Sequence, residues 1–177
     1  IYDSNTKLSE KLSHDYMLPS FGLKKIFDNK NIKAIVIASP AITHKDLAME
    51  ALKNDKDVFI EKPFCLSLPD AQKLSELATN KNRILMVGHL LNYHNAFIKM
   101  KELIKNGKIG VPQNIRANRL ALGAIRSEES VIYDLSAHDI SMILSIVKEL
   151  PIDVNVQSIH HHDNVCLLYT SDAADEH

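Results

Sequence analysis

The amino-acid sequence predicts an α/β protein: an incomplete parallel sheet, followed by the start of an α+β domain with an open, mainly antiparallel sheet. Three observations support this class. Short β-branched apolar runs alternate with stretches of helical spacing. One run, residues 32–38, is apolar almost throughout, as expected of a strand buried on both faces of a parallel sheet. After Gly88 the alternation gives way to longer runs with one polar face.

The first half of the chain contains three predicted strands with helices between them. In chain order these elements are strand 32–38, helix 43–54, strand 58–61, helix 67–79 and strand 83–88. Helices of this length between strands imply right-handed βαβ units and a parallel sheet. Residues 1–3 are interpreted as the end of an earlier strand. Asp3 would then occupy the position at which dinucleotide-binding folds bond the adenosine ribose, and an ordinary turn aspartate is the alternative.

The second half is predicted to form a different kind of domain. Its elements are helix 95–105, strand 113–122, helix 135–148 and strand 152–160. The boundary is placed near residues 88–94, which gives a first domain of residues 1–90 and a second of residues 91–165. Residues 166–177 resemble a translated sequencing adapter, so we interpret them as a non-native tail. A disordered native tail is the alternative.

Charge and composition exclude several classes of partner. The chain has 21 basic and 22 acidic residues, interspersed, so nothing favours binding to nucleic acid or to an anionic membrane surface. Its apolar stretches are too short to span a bilayer. Two cysteines, Cys65 and Cys166, lack metal-ligand or disulfide spacing, which favours a reducing cytoplasm. Neighbouring histidines at 160–162 would point to opposite faces of a strand, so no metal site is predicted.

The stretch DVFIEKPF at residues 57–64 ends an apolar run in a carboxylate, an amine and a proline. In open parallel sheets, ligands bind outside the carboxyl ends of the strands. Lys62 would emerge there from an apolar floor, where it can hold a substrate hydroxyl and share in proton transfer. Glu61 can pair with it, and Pro63 stiffens the turn. A surface ion pair at the end of a strand is the alternative.

A second pair of candidate residues lies in the stretch DLSAHD at residues 134–139. Asp134 and His138 are four residues apart and would share one face of the first turn of a helix. A carboxylate beside an imidazole orients a base and stabilises its charged form. A purely structural pair is the alternative.

Four motifs together carry a family resemblance. They are ASPAITH at 38–44, EKP at 61–63, VGH at 87–89 with Tyr93 and Phe97 after it, and DLSAHD at 134–139. In order and spacing they resemble the Gfo/Idh/MocA family, the relatives of glucose–fructose oxidoreductase and inositol dehydrogenase. The resemblance covers residues 1 to about 160, and it implies that the incomplete parallel sheet is of the Rossmann type.

The resemblance implies an NAD(P)-dependent oxidoreductase that moves a hydride between a sugar or cyclitol carbon and nicotinamide. Lys62 would bind and polarise the reacting hydroxyl, His138 would accept its proton, and Asp134 would orient the site. NAD is the expected cofactor because a carboxylate at Asp3 would repel the 2′-phosphate of NADP. NADP is the alternative.

The resemblance also assigns binding residues to the cofactor and to the substrate. The residues expected along the cofactor are Asp3, Ser39, Pro40, His44, Glu61 and Lys62. The residues expected at the substrate are His89, Tyr93, Arg119 and Arg126. Arg126 would meet the diphosphate of a nucleotide sugar, since a guanidinium matches phosphate geometry. A solvated loop arginine is the alternative.

Three departures from the family pattern are visible. Ala41 stands where the family has Asn, and Ser136 stands where it has Gly. The glycine-rich GxGxxG turn does not occur in the 177 residues and would precede Ile1, together with the central strand of the sheet. The chain is therefore expected to be a fragment that does not bind NAD tightly. The complete protein is expected to be a homo-oligomer.

Two rival functions stay open. Within the enzyme class, the protein is either a nucleotide-sugar dehydrogenase or a free sugar or cyclitol dehydrogenase. Outside it, the rival is a non-catalytic regulator that binds NAD(P) or a metabolite with the same fold. Lys62, Asp134 and His138 argue against a regulator, because a sensor needs none of the three.

Overall fold

The structure, a computed structural model, describes residues 1–118, 132–162 and 165–170. The chain forms two compact units, Ile1–Val87 and Gly88–His177.

The first unit contains a three-stranded sheet, in the order β1-β2-β3, whose strands are all parallel. Its elements are α1 (Thr6–Asp15), α2 (Leu23–Asp28), β1 (Ala34–Ile37), α3 (Ala41–Lys53), β2 (Asp57–Ile60), α4 (Leu68–Asn80) and β3 (Leu85–Val87). The predicted parallel α/β sheet is therefore confirmed. The strands β1 and β3 are shorter than their predicted runs, because the apolar pattern extends beyond the residues that are hydrogen-bonded in register, whereas β2 has the predicted length and begins one residue earlier.

The core of the first unit lies between one face of this sheet and the helices α3 and α4. Ala48, Ala51 and Leu52 recur at helical spacing along α3 and are fully buried. They pack with Val58 and Ile60 of β2. The two alanines on this buried face of α3 leave room for the helix to pack closely against the sheet.

The opposite face of β1 is open. Val36 is 71% exposed, and Ala34 is exposed beside it. The prediction that this strand is buried on both faces was therefore wrong for the described part of the chain. The sequence pattern identified an apolar strand correctly, but the helices α3 and α4 cover only one of its faces.

The N-terminal segment differs from the sequence prediction. Residues 1–3 are not in a strand, and two helices that the pattern did not predict, α1 and α2, follow them. The backbone N–H of Phe21 donates to the Ile1 carbonyl at 3.0 Å. Asn5 caps α1 by accepting a hydrogen bond from the backbone N–H of Leu8 at 3.3 Å.

The second unit begins with a 3₁₀ turn, Leu90–Tyr93. Its other elements are α5 (Asn95–Lys105), a π-helical turn (Ile132–Ser136), α6 (Ala137–Val147), β4 (Gln157–His162) and β5 (Val165–Thr170). Helix α5 has the predicted bounds. The strands β4 and β5 pair antiparallel. The strand predicted at 113–122 was wrong for residues 113–118, which are exposed and in no strand, and its remainder lies outside the described residues.

Candidate active site

The residues that follow β1 and β2 lie at the same edge of the parallel sheet. Ile37 pairs with Ile60 at the carboxyl ends of the two strands. One residue further on, the backbone N–H of Glu61 donates to the Ile37 carbonyl at 2.9 Å. The sequence motifs ASPAITH and EKP are therefore neighbours in space, at the edge where open α/β sheets bind ligands.

Lys62 lies on the turn that follows β2, next to strand residues that are buried. Ile60 is fully buried, Val58 is 2% exposed and Ile37 is 4% exposed. Lys62 itself is half-buried, and its backbone N–H donates to Oε2 of Glu61 at 3.2 Å. The peptide bond between Lys62 and Pro63 is cis. The lysine is thus placed at the boundary between the core and the ligand edge.

The turn after β1 carries a small hydrogen-bonded network. The hydroxyl oxygens of Ser39 and Thr43 lie 2.6 Å apart, and the Thr43 hydroxyl donates to the Pro40 carbonyl at 2.7 Å. Helix α3 begins at Ala41, with Pro40 as its N-cap. Thr43 therefore lies inside the helix rather than at its start, where the sequence pattern had placed it.

His44 links the two turns. Its side chain is 1% exposed. The ring atom Nδ1 lies 2.8 Å from the carbonyl oxygen of Pro63, and Nε2 lies 2.8 Å from the carbonyl oxygen of Ser39. Both ring nitrogens therefore face main-chain atoms of this chain. A direct contact between His44 and a cofactor stays a prediction.

Asp3 lies before α1 and is half-buried. Its Oδ1 accepts a hydrogen bond from the backbone N–H of Asn5 at 2.8 Å, two residues further on. The bond ties the carboxylate to the main chain at the start of α1. Its predicted role at the adenosine ribose stays a prediction.

In the second unit, Asp134 and His138 lie on consecutive turns of different pitch. Asp134 belongs to the π-helical turn, and His138 belongs to the first turn of α6. The sequence had placed both on one turn of an α-helix. Ser136, the residue that replaces the family's glycine, is the last residue of the π-helical turn and is buried.

The ring of His89 lies near that of His138, with 6.4 Å between the ring centroids and an edge-to-face angle of 82°. Burial lowers the pKa of His89, and repulsion from His138 lowers it further. Nδ1 of His89 is buried and has no hydrogen-bond partner within the described part of the chain. A buried polar atom of this kind needs a partner, and a ligand hydroxyl would supply one.

Asn92 is a candidate residue that sequence reasoning missed. Its Nδ2 donates to Oγ of Ser141 at 3.3 Å, and the Ser141 hydroxyl donates to the His138 carbonyl at 2.7 Å. Oδ1 of Asn92 is buried and, among the described residues, has no hydrogen-bond partner. The sequence places Asn92 three residues after His89, and this spacing is the one local signal for it. The bond to Ser141 gives no such signal, because Ser141 is 49 residues further along the chain.

The other three predicted substrate residues are Tyr93, Arg119 and Arg126. Tyr93 is 61% exposed at the end of the 3₁₀ turn. Arg119 and Arg126 lie outside the described residues.

Cys65 follows the Lys62 turn and packs against the core. Burial raises the pKa of its thiol, and repulsion from Asp70 raises it further. A raised pKa suits packing rather than nucleophilic chemistry.

No group of three or more histidine, cysteine, aspartate or glutamate side chains in the described residues could hold a metal ion. None of the helices in the same residues is both long and apolar enough to cross a membrane.

Parallel strands joined by helices, with the ligand edge at the carboxyl ends of the strands, are the architecture of the dinucleotide-binding class of α/β proteins. The sequence profile of the GFO_IDH_MocA oxidoreductase family, with an NAD-binding Rossmann fold, matches residues 1–89. The chain belongs to this family. The predicted family is therefore confirmed, and NAD is the cofactor that the family's description gives.

Two curated relatives show which reactions similar chains perform. The chain is 30% identical over 130 residues to myo-inositol 2-dehydrogenase of Thermotoga maritima, covering 71% of this chain and 39% of the relative. It is also 30% identical over 129 residues to UDP-N-acetylglucosamine 3-dehydrogenase of Acidithiobacillus ferrooxidans, covering 72% of this chain and 40% of the relative. The chain thus spans about two fifths of the curated relatives that it matches.

Solved structures show the same fold. A crystal structure of UDP-N-acetylglucosamine 3-dehydrogenase from Acidithiobacillus ferrooxidans superimposes with a TM-score of 0.85 at 25% identity, covering 96% of this chain and 55% of that one. A dehydrogenase structure from Thermotoga maritima superimposes with a TM-score of 0.77 at 24% identity, covering 92% of this chain and 51% of that one.

Proposed function

We propose that the chain carries the lysine and histidine parts of the active site of an NAD-dependent dehydrogenase. This enzyme oxidises a secondary hydroxyl group of a sugar, with a nucleotide sugar as the main candidate. The observation that supports it most is the Lys62 turn, held at the carboxyl edge of the parallel sheet above a buried apolar floor.

The chain's own residues divide the work of the oxidation. The Lys62 ammonium group donates a hydrogen bond to the reacting hydroxyl and polarises its O–H bond. His138 accepts the hydroxyl proton as the carbon–oxygen double bond forms. Asp134 orients the site and stabilises the imidazolium that results. A nicotinamide cofactor held along the Ser39 and Glu61 edge would supply the hydride acceptor, which balances the proton that His138 takes from the same hydroxyl.

The residues of the first unit fit part of a dinucleotide. Asp3 supplies a carboxylate, which suits the hydroxyl groups of the adenosine ribose. Ser39 and Thr43 supply hydroxyls at the turn after β1, and Glu61 supplies a carboxylate beside Lys62. Ser39, Pro40 and Glu61 are therefore kept as the proposed cofactor edge, and His44 is left out of it because both of its ring nitrogens face main-chain carbonyls. The pyrophosphate would need a glycine-rich turn of a kind that this sequence does not contain.

The second unit supplies the polar atoms for the substrate. His89 and Asn92 each present a buried atom that lacks a hydrogen-bond partner among the described residues. A sugar ring carries hydroxyls on neighbouring carbons, and such groups both donate and accept hydrogen bonds. Tyr93, Arg119 and Arg126 complete the proposed substrate set, with Arg126 kept for a diphosphate.

A cyclitol or free sugar dehydrogenase is the second candidate function. It is favoured by the similarity to myo-inositol 2-dehydrogenase, which equals in identity the similarity to the nucleotide-sugar enzyme. Both candidates act in the cytoplasm, and the whole protein is a homo-oligomer. The two cysteines without disulfide spacing support the compartment.

The test is the formation of NADH by the whole protein, supplied with UDP-N-acetylglucosamine or with myo-inositol. Lys62→Ala should lower kcat about 10²–10⁴-fold, the range for loss of a general acid–base group, and leave the affinity for NAD unchanged. Lys11→Ala, an exposed lysine of α1, is the matched control and should retain full turnover. NAD binding without turnover of any sugar or cyclitol would instead identify a regulator.

A further inference from the structure

His44 occupies a position that the proposed chemistry does not use. It lies in the first turn of α3, its side chain is 1% exposed, and its two ring nitrogens each lie 2.8 Å from a backbone carbonyl oxygen. The two carbonyls belong to Ser39, after β1, and to Pro63, after β2.

The two contacts restrict the protonation state of the ring. A carbonyl oxygen only accepts hydrogen bonds, and a neutral imidazole has one N–H group to donate. In either neutral tautomer, one ring nitrogen would point its lone pair at a carbonyl oxygen 2.8 Å away. Only the imidazolium form, which carries a proton on both nitrogens, donates to Ser39 and to Pro63 together.

The position of Pro63 connects this ring to the lysine. The Pro63 carbonyl is one residue beyond Lys62, and the Ser39 carbonyl is two residues beyond the end of β1. A ring that donates to both therefore cross-links the turn after β1 to the turn that carries Lys62. Because His44 lies on α3, which packs on the core through Ala48, Ala51 and Leu52, the cross-link ties the lysine turn to a helix of the buried core.

We propose that His44 is a positioning residue for Lys62. With a proton on each ring nitrogen, it holds the Lys62–Pro63 turn against the Ser39 turn, and it does so without touching the substrate. The role of Lys62 rests on the proposed function, whereas the cross-link itself does not.

The charged groups around this part of the chain are of both signs. On α3, Lys45 follows His44 and lies 3.6 Å from Asp46, and the partial positive charge at the helix start also opposes an imidazolium. Lys45 also lies 3.9 Å from Asp70 of α4, and Glu61 precedes Lys62 on the facing turn. Burial of the ring opposes a charge, and the two short contacts with carbonyl oxygens are the feature of the site that offsets this cost in the proposal.

The first experiment measures the ring directly. Long-range ¹⁵N–¹H correlation spectra of the histidine-labelled chain distinguish a doubly protonated ring from either neutral tautomer. The His44 signals are assigned by their loss in a His44→Asn variant. At near-neutral pH we expect both ring nitrogens of His44 to carry a proton. A single protonated nitrogen would overturn the proposal.

The second experiment tests the two hydrogen bonds of the cross-link, to Pro63 and to Ser39, separately in the whole protein. The amide nitrogen of Asn takes the place of Nδ1, so His44→Asn keeps the donor to Pro63. The amide nitrogen of Gln takes the place of Nε2, so His44→Gln keeps the donor to Ser39. His14→Asn and His14→Gln, at an exposed position in α1, are the matched controls.

The two variants are expected to differ in kcat. His44→Gln releases the lysine turn and should lower kcat by about 10- to 100-fold, the scale of a small misplacement of a reacting group, with KM for NAD little changed. His44→Asn should keep kcat closer to that of the unmodified protein. Equal losses in both variants would show that His44 only fills the core, and would overturn the proposal.

Other failures stay distinguishable. If His44→Gln does not fold, as a thermal unfolding scan would show, the spectrum of the unmodified chain still decides whether the double donor exists. If the unmodified protein oxidises no sugar or cyclitol, the proposed function fails. The spectrum then decides separately whether the cross-link is real.

Discussion

The two units treat their buried polar groups in opposite ways. In the first unit, the buried His44 has a carbonyl partner for each ring nitrogen, and the buried Lys56 donates to the Asn29 carbonyl at 2.6 Å. In the second unit, His89 and Asn92 each have a buried atom that lacks a partner among the described residues.

The two patterns suit two different tasks. Groups that must hold one fixed geometry are bonded within the fold, so binding a ligand changes little around them. Groups that recognise a ligand must keep a hydrogen-bonding position for it, at a cost to the stability of the unliganded fold. We therefore propose that the first unit holds Lys62 in a fixed geometry and that His89 and Asn92 of the second unit recognise the substrate.

The largest effect is expected from the core of the first unit. Leu52→Ala removes a fully buried side chain of α3 and should lower the free energy of unfolding of this unit by about 2–5 kcal/mol. Hydrogen exchange should show the loss in residues 1–87, with the second unit little changed. Leu68→Ala, at a 71% exposed position, is the control. Equal loss in both units would mean that they unfold together.

The next effect tests the polar atoms of the second unit. In the whole protein, Asn92→Ala should raise KM for the sugar substrate about tenfold, the value of one hydrogen bond of about 1.4 kcal/mol, while kcat changes less. Steady-state kinetics at saturating NAD measure it. Asn95→Ala, at an exposed position of α5, should leave KM unchanged. An unchanged KM in Asn92→Ala would remove Asn92 from the substrate set.

A smaller effect follows from the lowered pKa of His89. Below the ordinary histidine value of about 6.5, the unfolded chain takes up a proton that the folded His89 resists. The free energy of unfolding of the second unit should therefore fall as the pH drops through that value, until the lowered folded pKa is reached. His89→Gln should flatten this slope in urea unfolding curves, whereas His14→Gln should not. A slope that persists in His89→Gln would show that another group causes it.

The smallest effect is expected at the surface of the first unit. The side-chain hydrogen bond from Lys81, 2.8 Å from Asp55, lowers the pKa of this exposed carboxyl. The bond stabilises the fold above the ordinary aspartate pKa, and this stabilisation is lost as the pH falls through the lowered value. Asp55→Asn should therefore change thermal stability only slightly at neutral pH and not at all in strong acid.

The sequence predicted best where the signal was local. The end of the apolar run at Ile60 and the charged residues after it located the Lys62 turn, because strand and turn are adjacent in the chain. The prediction that Val36 is buried was wrong, because a run of β-branched residues does not indicate whether helices cover one face of the strand or both. Helix α1 was missed because its apolar residues are few, and Leu8 is 41% exposed.

The candidate residues of the second unit were only partly predictable from the sequence. The pair Asp134 and His138 was visible as a spacing of four, but the π-helical pitch of the turn before α6 was not, since no residue type encodes it. Asn92 was not predictable, because its position depends on Ser141, 49 residues later. Contacts of that kind are set by packing rather than by pattern.

The acceptors of His44 are main-chain carbonyls, and this has a consequence for how the sequence can drift. A carbonyl oxygen is present whatever amino acid occupies the position, so the cross-link places no demand on the side chain of Ser39. The histidine has no such freedom, because no other side chain has two donors on a planar ring. In a saturation library selected for growth, position 39 should accept many amino acids, whereas position 44 should accept few, with asparagine tolerated better than glutamine.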